Sequence, residues 1–332
     1  MSSFEKMEKL FTVLDVTASA IKEEDSTPYL TALAESGENL FYGEVPQDYS
    51  AKLKDLLQQE YKKVSISALE NEEIRKAFQL AVLKGMKEAI QPNHAMTPDA
   101  VALFMGYLIR KMKEHETNVT LLDPVIGSGN MLTAVMNLLE GKELSAFGVE
   151  IDETLLRLSW SSANLQKHAV ELFHQDTIKP LYIEPVDIAL ADLPVGFYPD
   201  DETAKDFVVH HEKGHTYAHH LIMEQAMKYV KDSGFGVFLV PNRLFESEQA
   251  DLLQKWIKNH AAVLGLIELP MSLFKSETHA KSILILQKNG TEMIKPKQAM
   301  LVKLPPFSNK DALNKVMKQM DEWFKTEWKR EK

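Results

Sequence analysis

Apolar residues recur at helical spacing through the first part of the chain. Phe4, Met7, Phe11 and Leu14 form one series, Leu53, Leu56, Leu57 and Tyr61 a second, and Ile74, Phe78, Ala81 and Val82 a third. Positions three and four apart share one helix face, so each series predicts an amphipathic helix. Breaks are expected near Thr27-Pro28, across 37–43 and at Pro46, where glycine and proline interrupt helices. The reading is a helical domain over residues 1–93. Pro92 and Pro98 bracket a connector, QPNHAMTP.

From residue 99 the pattern alternates. Helices over 99–114, 129–139, 153–167, 217–231 and 247–259 separate short apolar runs at 119–123, 145–150, 170–173, 186–191, 235–240, 263–269 and 282–288. Strands alternating with helices imply parallel crossover units. The predicted class is α/β, a Rossmann-like doubly wound sheet of seven mostly parallel strands with an N-terminal helical domain. The last two strands lack an intervening long helix and are expected to pair antiparallel. KQAMLVKL (297–304) is a candidate extra strand. From Ser308, a candidate cap, Leu313, Val316, Met317, Met320, Trp323 and Phe324 form an apolar helical stripe. Trp328 and the mixed basic end are expected to be exposed. The domains read as 1–93 helical, 94–290 catalytic, and 291–332 a strand and amphipathic helix.

Composition narrows the chemistry. The chain has 332 residues and no cysteine, which excludes a thiolate nucleophile, a zinc ribbon or a disulfide framework. The first residues lack a signal-peptide layout, and no apolar run reaches the ~18–20 residues of a membrane helix. A cytoplasmic protein is expected, with no membrane association. The net charge of −10 argues against stand-alone tight binding to a duplex, which rests on phosphate neutralisation.

The sharpest local pattern is LLDPVIGSGNML, 121–132. A strand ends at Asp123, and Gly127, Ser128 and Gly129 turn the chain into a helix. Glycine permits positive φ and close approach of a ligand. A phosphate loop needs a lysine where Asn130 and Met131 stand. A dinucleotide fingerprint needs a third glycine where Leu132 stands. S-adenosylmethionine suits an acid at the strand end and a glycine turn. A tight turn without ligand is about equally open for a lone GSG. The next strands shift that balance. FGVEID ends at Glu150, where a ribose diol is held in this topology. HQDT offers Asp176 to an adenine amino group, and VDIALAD ends at Asp192.

Together these residues resemble the N6-adenine amino-group DNA methyltransferases. DPVIGSGNML resembles their glycine loop, GVEID and HQDT their next two motifs, and HAMTP (94–98) the segment leading into the fold. VPNRLF (240–245) and FKSETHAKSILILQK (274–288) are similar to type I restriction modification subunits. The resemblance spans about 70–290 and is nearest to a small bacterial YtxK-like branch. It implies S-adenosylmethionine as cofactor, held by Thr97, Pro98, Asp123, Pro124, Gly127, Ser128, Gly129, Asn130, Glu150, Ile151, Asp176, Thr177 and Asp192. It implies a catalytic motif of Asn/Asp-Pro-Pro-aromatic type at Asp192, Leu193 and Pro194. In that motif the acid and the next carbonyl accept the two N–H bonds of an amine, and the aromatic stacks on a flipped base. Here Leu193 replaces the first proline, leaving its backbone less fixed, and Val195 replaces the aromatic. Phe197 or Tyr198 is a candidate replacement ring.

The reading is therefore a methyltransferase acting on an amino group, with adenine N6 in nucleic acid as one acceptor. The alternatives are a cofactor-binding interaction module with lost or altered catalysis, or a methyltransferase for RNA, protein or a small molecule. A nicotinamide enzyme fits least. Roughly 40 residues follow the last core strand, too few for a target-recognition domain, so a partner subunit or homodimer is expected to supply recognition. Five of the eleven histidines lie in 210–220. They read as a lid over the substrate site rather than a metal centre, which needs three or four ligands; no metal is expected. Asn242 reads as a turn cap and Arg243 as solvated. Glu23-Glu24 and Glu72-Glu73 read as helix-surface charge.

Overall fold

The computed structural model describes residues 2–88 and 96–329. The connector at 91–95 and the extreme C-terminus lie outside the described residues. The chain begins with α1 (Ser3–Asp25), α2 (Tyr29–Tyr42), α3 (Ala51–Tyr61), α4 (Asn71–Glu88) and α5 (Asp99–Met112). Then come β1 (Asn118–Asp123), α6 (Asn130–Leu138), β2 (Glu143–Glu150), α7 (Glu153–Leu165), β3 (Val170–His174) and β4 (Val186–Asp192). They are followed by α8 (Asp201–Ala204), α9 (Ala218–Lys228), β5 (Val230–Pro241), α10 (Ala250–His260) and β6 (Ala261–Glu268). The last elements are β7 (Lys281–Lys288), β8 (Met300–Lys303) and α11 (Lys310–Glu327).

The fold is α/β, with an eight-stranded, mostly parallel sheet. The expected seven strands become eight because KQAMLVKL contributes β8. Two compact units are formed, one by Met1–Gly106 with Ile126–Gln175, the other by Tyr107–Val125 with Asp176–Lys332.

In the first unit, α1 starts with a capping box: the Ser2 side chain accepts from the Glu5 amide, and Glu5 accepts from the Ser2 amide. The α1 stripe turns Leu10 and Leu14 into a core with Leu33, Leu57, Ile74, Phe78 and, from α7, Leu155 and Leu158. Each such side chain stabilises by about 2 kcal/mol relative to exposure. Phe4 begins the predicted series but is 66% exposed. The break expected across 37–43 occurs only at Gly43, whose φ of 71° ends α2. Gly37 lies inside the helix. An added Cβ there would meet Ser161 Cβ at 2.8 Å, so this glycine is the point of close packing on α7. β2 and β3 pair parallel, with Glu150 opposite His174.

In the second unit the strands run β1-β4-β5-β7-β6-β8. β1, β4 and β5 are parallel. The Ile188–Ala191 run (188–191) is wholly buried, as expected for a parallel strand covered on both faces. β7 is antiparallel to both β5 and β6, and β8 joins β6 in parallel. The polarity of β7 matters for the site. Its first residue, Lys281, pairs with Pro241, beyond the row in which Leu239 pairs with Asp192. Lys281 therefore arrives at the carboxyl edge of β4, where a parallel strand would bring its last residue.

Three local expectations change. The helix expected over 217–231 ends at Lys228, and β5 takes over at Val230. Asn309, not Ser308, caps α11 by accepting from the Ala312 amide at 3.2 Å. Trp328 is packed, with its ring 5.1 Å from that of Phe235. Among the described residues, no helix is long and apolar enough to cross a membrane.

Candidate functional site

The glycine loop lies in the first unit with most of its supports. The Gly127 amide donates to Glu150 Oε2 at 2.9 Å. Glu150 Oε1 accepts from the amides of Ile151 and Asp152, each at 2.9 Å. Gly127 and Gly129 have φ of 56° and 78°, a region that glycine enters at little cost. Gly129 caps α6, and an added Cβ there would meet Ser159 Cβ at 3.0 Å. At Gly127 an added Cβ would meet nothing within 4 Å, so the backbone there is open to a ligand. Ser128 is half-buried and Ile151 exposed. Thr97 is buried, and the Pro98 carbonyl starts α5 by accepting from Val101 and Ala102.

Arg75 braces this loop and was not anticipated. Its side chain is fully buried. It donates to Asn130 Oδ1 at 2.7 Å, to Asp99 Oδ1 at 2.7 Å and to both carboxylate oxygens of Glu72. Burial opposes its charge, but Glu72 and Asp99 outweigh that and raise its pKa. Glu72 thus belongs to a buried network, and Glu73 is itself buried, accepting from the Glu70 amide at 2.9 Å. Neither is plain surface charge. Asn130 Nδ2 is buried with no hydrogen-bond partner among the described residues. The available signal was a charge at 75 on the helix face of Phe78 and Val82.

The second unit holds the other acids. Asp123 is buried, its Oδ1 accepting from the Val125 amide at 3.1 Å, with Pro124 also buried. Asp176 Oδ1 accepts from the Ile178 amide at 2.9 Å, and its Oδ2 from the Tyr198 hydroxyl at 2.6 Å. Burial and then Asp176 raise the Tyr198 pKa. The buried Thr177 hydroxyl has no hydrogen-bond partner among the described residues. Taken unit by unit, the chemistry fits parts of S-adenosylmethionine: in the first, Glu150 beside the open Gly127 backbone suits a ribose diol, and in the second, Asp176 and Thr177 suit an adenine.

Asp192 ends β4 half-buried, and Leu193 follows fully buried with Pro194 exposed. Lys281 Nζ donates to Asp192 Oδ1 and, at 3.1 Å, to the Leu193 carbonyl. The Leu193 amide donates to the Leu239 carbonyl at 3.2 Å. Its backbone is therefore fixed by a bond that proline cannot make, which corrects the expectation of a looser turn. Tyr198 is occupied by Asp176, but Phe197 is 57% exposed. Its ring stacks on Tyr217 at 4.9 Å, and Tyr217 stacks on His219 at 5.0 Å.

The histidine segment is tied down at several points. The His211 amide donates to Thr216 Oγ1, the Tyr217 amide to Gln249 Oε1, and His219 and His220 are buried in α9. His215 precedes α9, so it shares no helix face with His219, and it pairs with Asp201 at 2.9 Å. Burial pushes His219 down to about 4, aided by the Lys281 charge, and His220 down to about 3. Among the described residues, no group of three histidine or acidic side chains could hold a metal ion. Asn242 bonds across to the start of β7 rather than capping its turn, its amide donating to the Ala280 carbonyl and its Oδ1 accepting from the Ser282 hydroxyl at 2.7 Å; Arg243 is exposed.

Comparison with known proteins decides the family. The profile described as N-6 DNA Methylase matches residues 87–330, and that described as YtxK N-terminal helical domain matches 8–86. The chain belongs to the N-6 DNA methylase family. As a member it is a methyltransferase that uses S-adenosylmethionine. It is 45% identical to the uncharacterized protein YtxK of Bacillus subtilis over 324 residues, 96% of this chain and 97% of that one. A Listeria monocytogenes protein, provisionally described as a class I S-adenosylmethionine-dependent methyltransferase, has a crystal structure that is similar with a TM-score of 0.90. It is 41% identical and covers 96% of this chain and 99% of its own. The methyltransferase subunit of a Streptococcus thermophilus type I restriction-modification system shares the fold at 17% identity and TM-score 0.63, covering 96% of this N-6 DNA methylase family member and 74% of the subunit.

Proposed function

We propose that this N-6 DNA methylase family member methylates an amino nitrogen, with adenine N6 in nucleic acid as the leading acceptor. One observation carries the reading: the Asp192 carboxylate and the Leu193 carbonyl converge on a single nitrogen, that of Lys281. Two acceptors at one point suit an amine with two N–H bonds. When bound, S-adenosylmethionine supplies an electrophilic methyl carbon on a sulfonium. Glu150 is proposed to hold its ribose hydroxyls and Asp176 its adenine. Asp192 and Leu193 orient the amine, drawing its hydrogens to one side and leaving the lone pair on the other, so that alignment supplies much of the acceleration.

Phe197 is proposed as the stacking ring in place of Val195. Backed by Tyr217, it offers a rigid face to a planar base, worth ~1–3 kcal/mol. The same reading keeps a helical domain at 1–93, a catalytic domain at 94–290 and an appended strand and helix at 291–332. It places the protein in the cytoplasm, with a partner subunit or second copy adding positive surface that a chain of net charge −10 is short of.

The test is transfer of labelled methyl groups to adenine-containing single-stranded DNA and RNA. Label is expected in one of them, lost with Asp192→Ala and reduced about tenfold with Phe197→Ala, in line with a lost stacking contact. Cofactor binding without transfer to either polymer would remove the nucleobase acceptor.

A further inference from the structure

Lys281 occupies the position at which the proposed function seats the acceptor amine. An ordinary ion pair needs only a carboxylate. Here the nitrogen also reaches the Leu193 main-chain carbonyl at 3.1 Å. The same residue is held on its other side by the hydrogen bond from the Leu193 amide to the Leu239 carbonyl. The two side chains are only 23% and 21% exposed, so the contact is largely withdrawn from water. Strand polarity delivers it: β7 enters antiparallel and starts at the edge where β4 ends. His219, kept neutral by burial, adds no second cation at this corner near neutral pH.

We propose that Lys281 is a self-modification site, methylated in cis by its own chain when S-adenosylmethionine is bound. The proposal rests on the reading of Asp192 and Leu193 as the acceptor position. The ammonium first loses a proton to water, so that Asp192 stays ionised as an acceptor. The neutral amine then keeps one N–H on each acceptor and directs its lone pair away from both. A bond forms between Nζ and the methyl carbon as the bond from that carbon to the sulfonium sulfur breaks. The electron pair leaves on sulfur, giving a thioether, so no further reactant is needed. A neutral monomethylamine has one N–H left and cannot satisfy both acceptors. Monomethyl-lysine is therefore the expected main product.

The experiment incubates the full chain with S-adenosylmethionine carrying a deuterated methyl group and locates the label by peptide mass spectrometry. One heavy methyl is expected on Lys281 and none on Lys275 or Lys288, with a yield per chain that does not fall on dilution. Asp192→Asn and Lys281→Arg should abolish it. A cofactor-free readout tests the seating: Lys281 should be acetylated by acetic anhydride several-fold more slowly than the exposed Lys52, and Asp192→Asn should erase the difference. Lys281 reacting as fast as Lys52 would overturn the seating. Calorimetry separates the remaining failures. Cofactor binding with no label at Lys281 overturns self-modification alone, whereas no cofactor binding overturns the proposed function with it.

Discussion

The amide of Gly127 is bonded to the carboxylate of Glu150, which ties the glycine loop to the end of β2. The other carboxylate oxygen accepts from two further amides. Glu150 thus shapes the loop as well as presenting an acid. Removing it leaves three amides short of an acceptor. Glu150→Ala is expected to weaken S-adenosylmethionine binding by roughly 30- to 100-fold, the equivalent of about 2–3 kcal/mol for charged hydrogen bonds. Glu150→Gln retains one oxygen but sets an NH2 group against an N–H, so its loss should be intermediate. Calorimetry on the folded variants ranks them, and wild-type affinity in Glu150→Ala would contradict the assignment.

The two glycines of the loop should respond differently to alanine. Both have left-handed φ, so either substitution costs about 1–2 kcal/mol in backbone strain. At Gly129 the new carbon also meets Ser159 Cβ at 3.0 Å and its Cα at 3.2 Å, and a helix backbone yields little. At Gly127 the carbon enters open space. Gly129→Ala should therefore show the larger loss of stability in urea unfolding. Gly127→Ala should keep more of its stability yet lose cofactor affinity, because its methyl fills space beside the loop. The reverse order of urea midpoints would show that the loop is not packed as described.

Much of the fold was legible because each element has a local cause. The 3.6-residue series marked helices, apolar runs marked strands, and acids at or after the ends of β1, β2, β3 and β4 marked the candidate site. What was missed depends on pairing across long stretches of chain. Lys281 and Asp192 are 89 positions apart, and only the antiparallel entry of β7 joins them. Phe197 gains its stacking partner through an isolated bridge to Tyr217. Gly37 read as a breaker because its role is packing against Ser161, which helix periodicity does not encode. Arg75 was visible as a charge on an apolar face, but its partners Asp99 and Asn130 were not.

Acid should destabilise the protein through its buried histidines. Burial lowers His168 and His219 to about 4 and His220 to about 3. In the unfolded chain these groups titrate near 6.5. Between those values the unfolded state binds more protons, so stability is full above pH 6.5 and falls as pH drops towards 4. The loss for His168 or His219 is roughly 3 kcal/mol at the bottom of that window. Urea midpoints measured across it should fall steadily. Both ring nitrogens of His220 are buried without hydrogen-bond partners among the described residues. His220→Phe should flatten the profile without lowering stability at neutral pH, and an unchanged slope would show that His220 is hydrated.

Restoring the family's proline should harm this chain. The Leu193 amide bonds to the carbonyl of Leu239, which is almost wholly buried, and the Leu193 side chain is fully buried. Leu193→Pro removes that donor, orphans the carbonyl and trims the packing, at a combined cost of about 2–4 kcal/mol. Leu193→Ala gives a control, since it loses packing but keeps the amide. If the amide bond is what fixes the Leu193 carbonyl, the alanine variant should still hold the Lys281 nitrogen and keep Lys281 slow towards acetic anhydride. The proline variant should unfold at lower urea while its cofactor affinity changes little, because the glycine loop and Glu150 are untouched. A proline variant as stable as wild type would mean that the ring alone can replace the bond, and that leucine at 193 is an incidental departure rather than a compensated one.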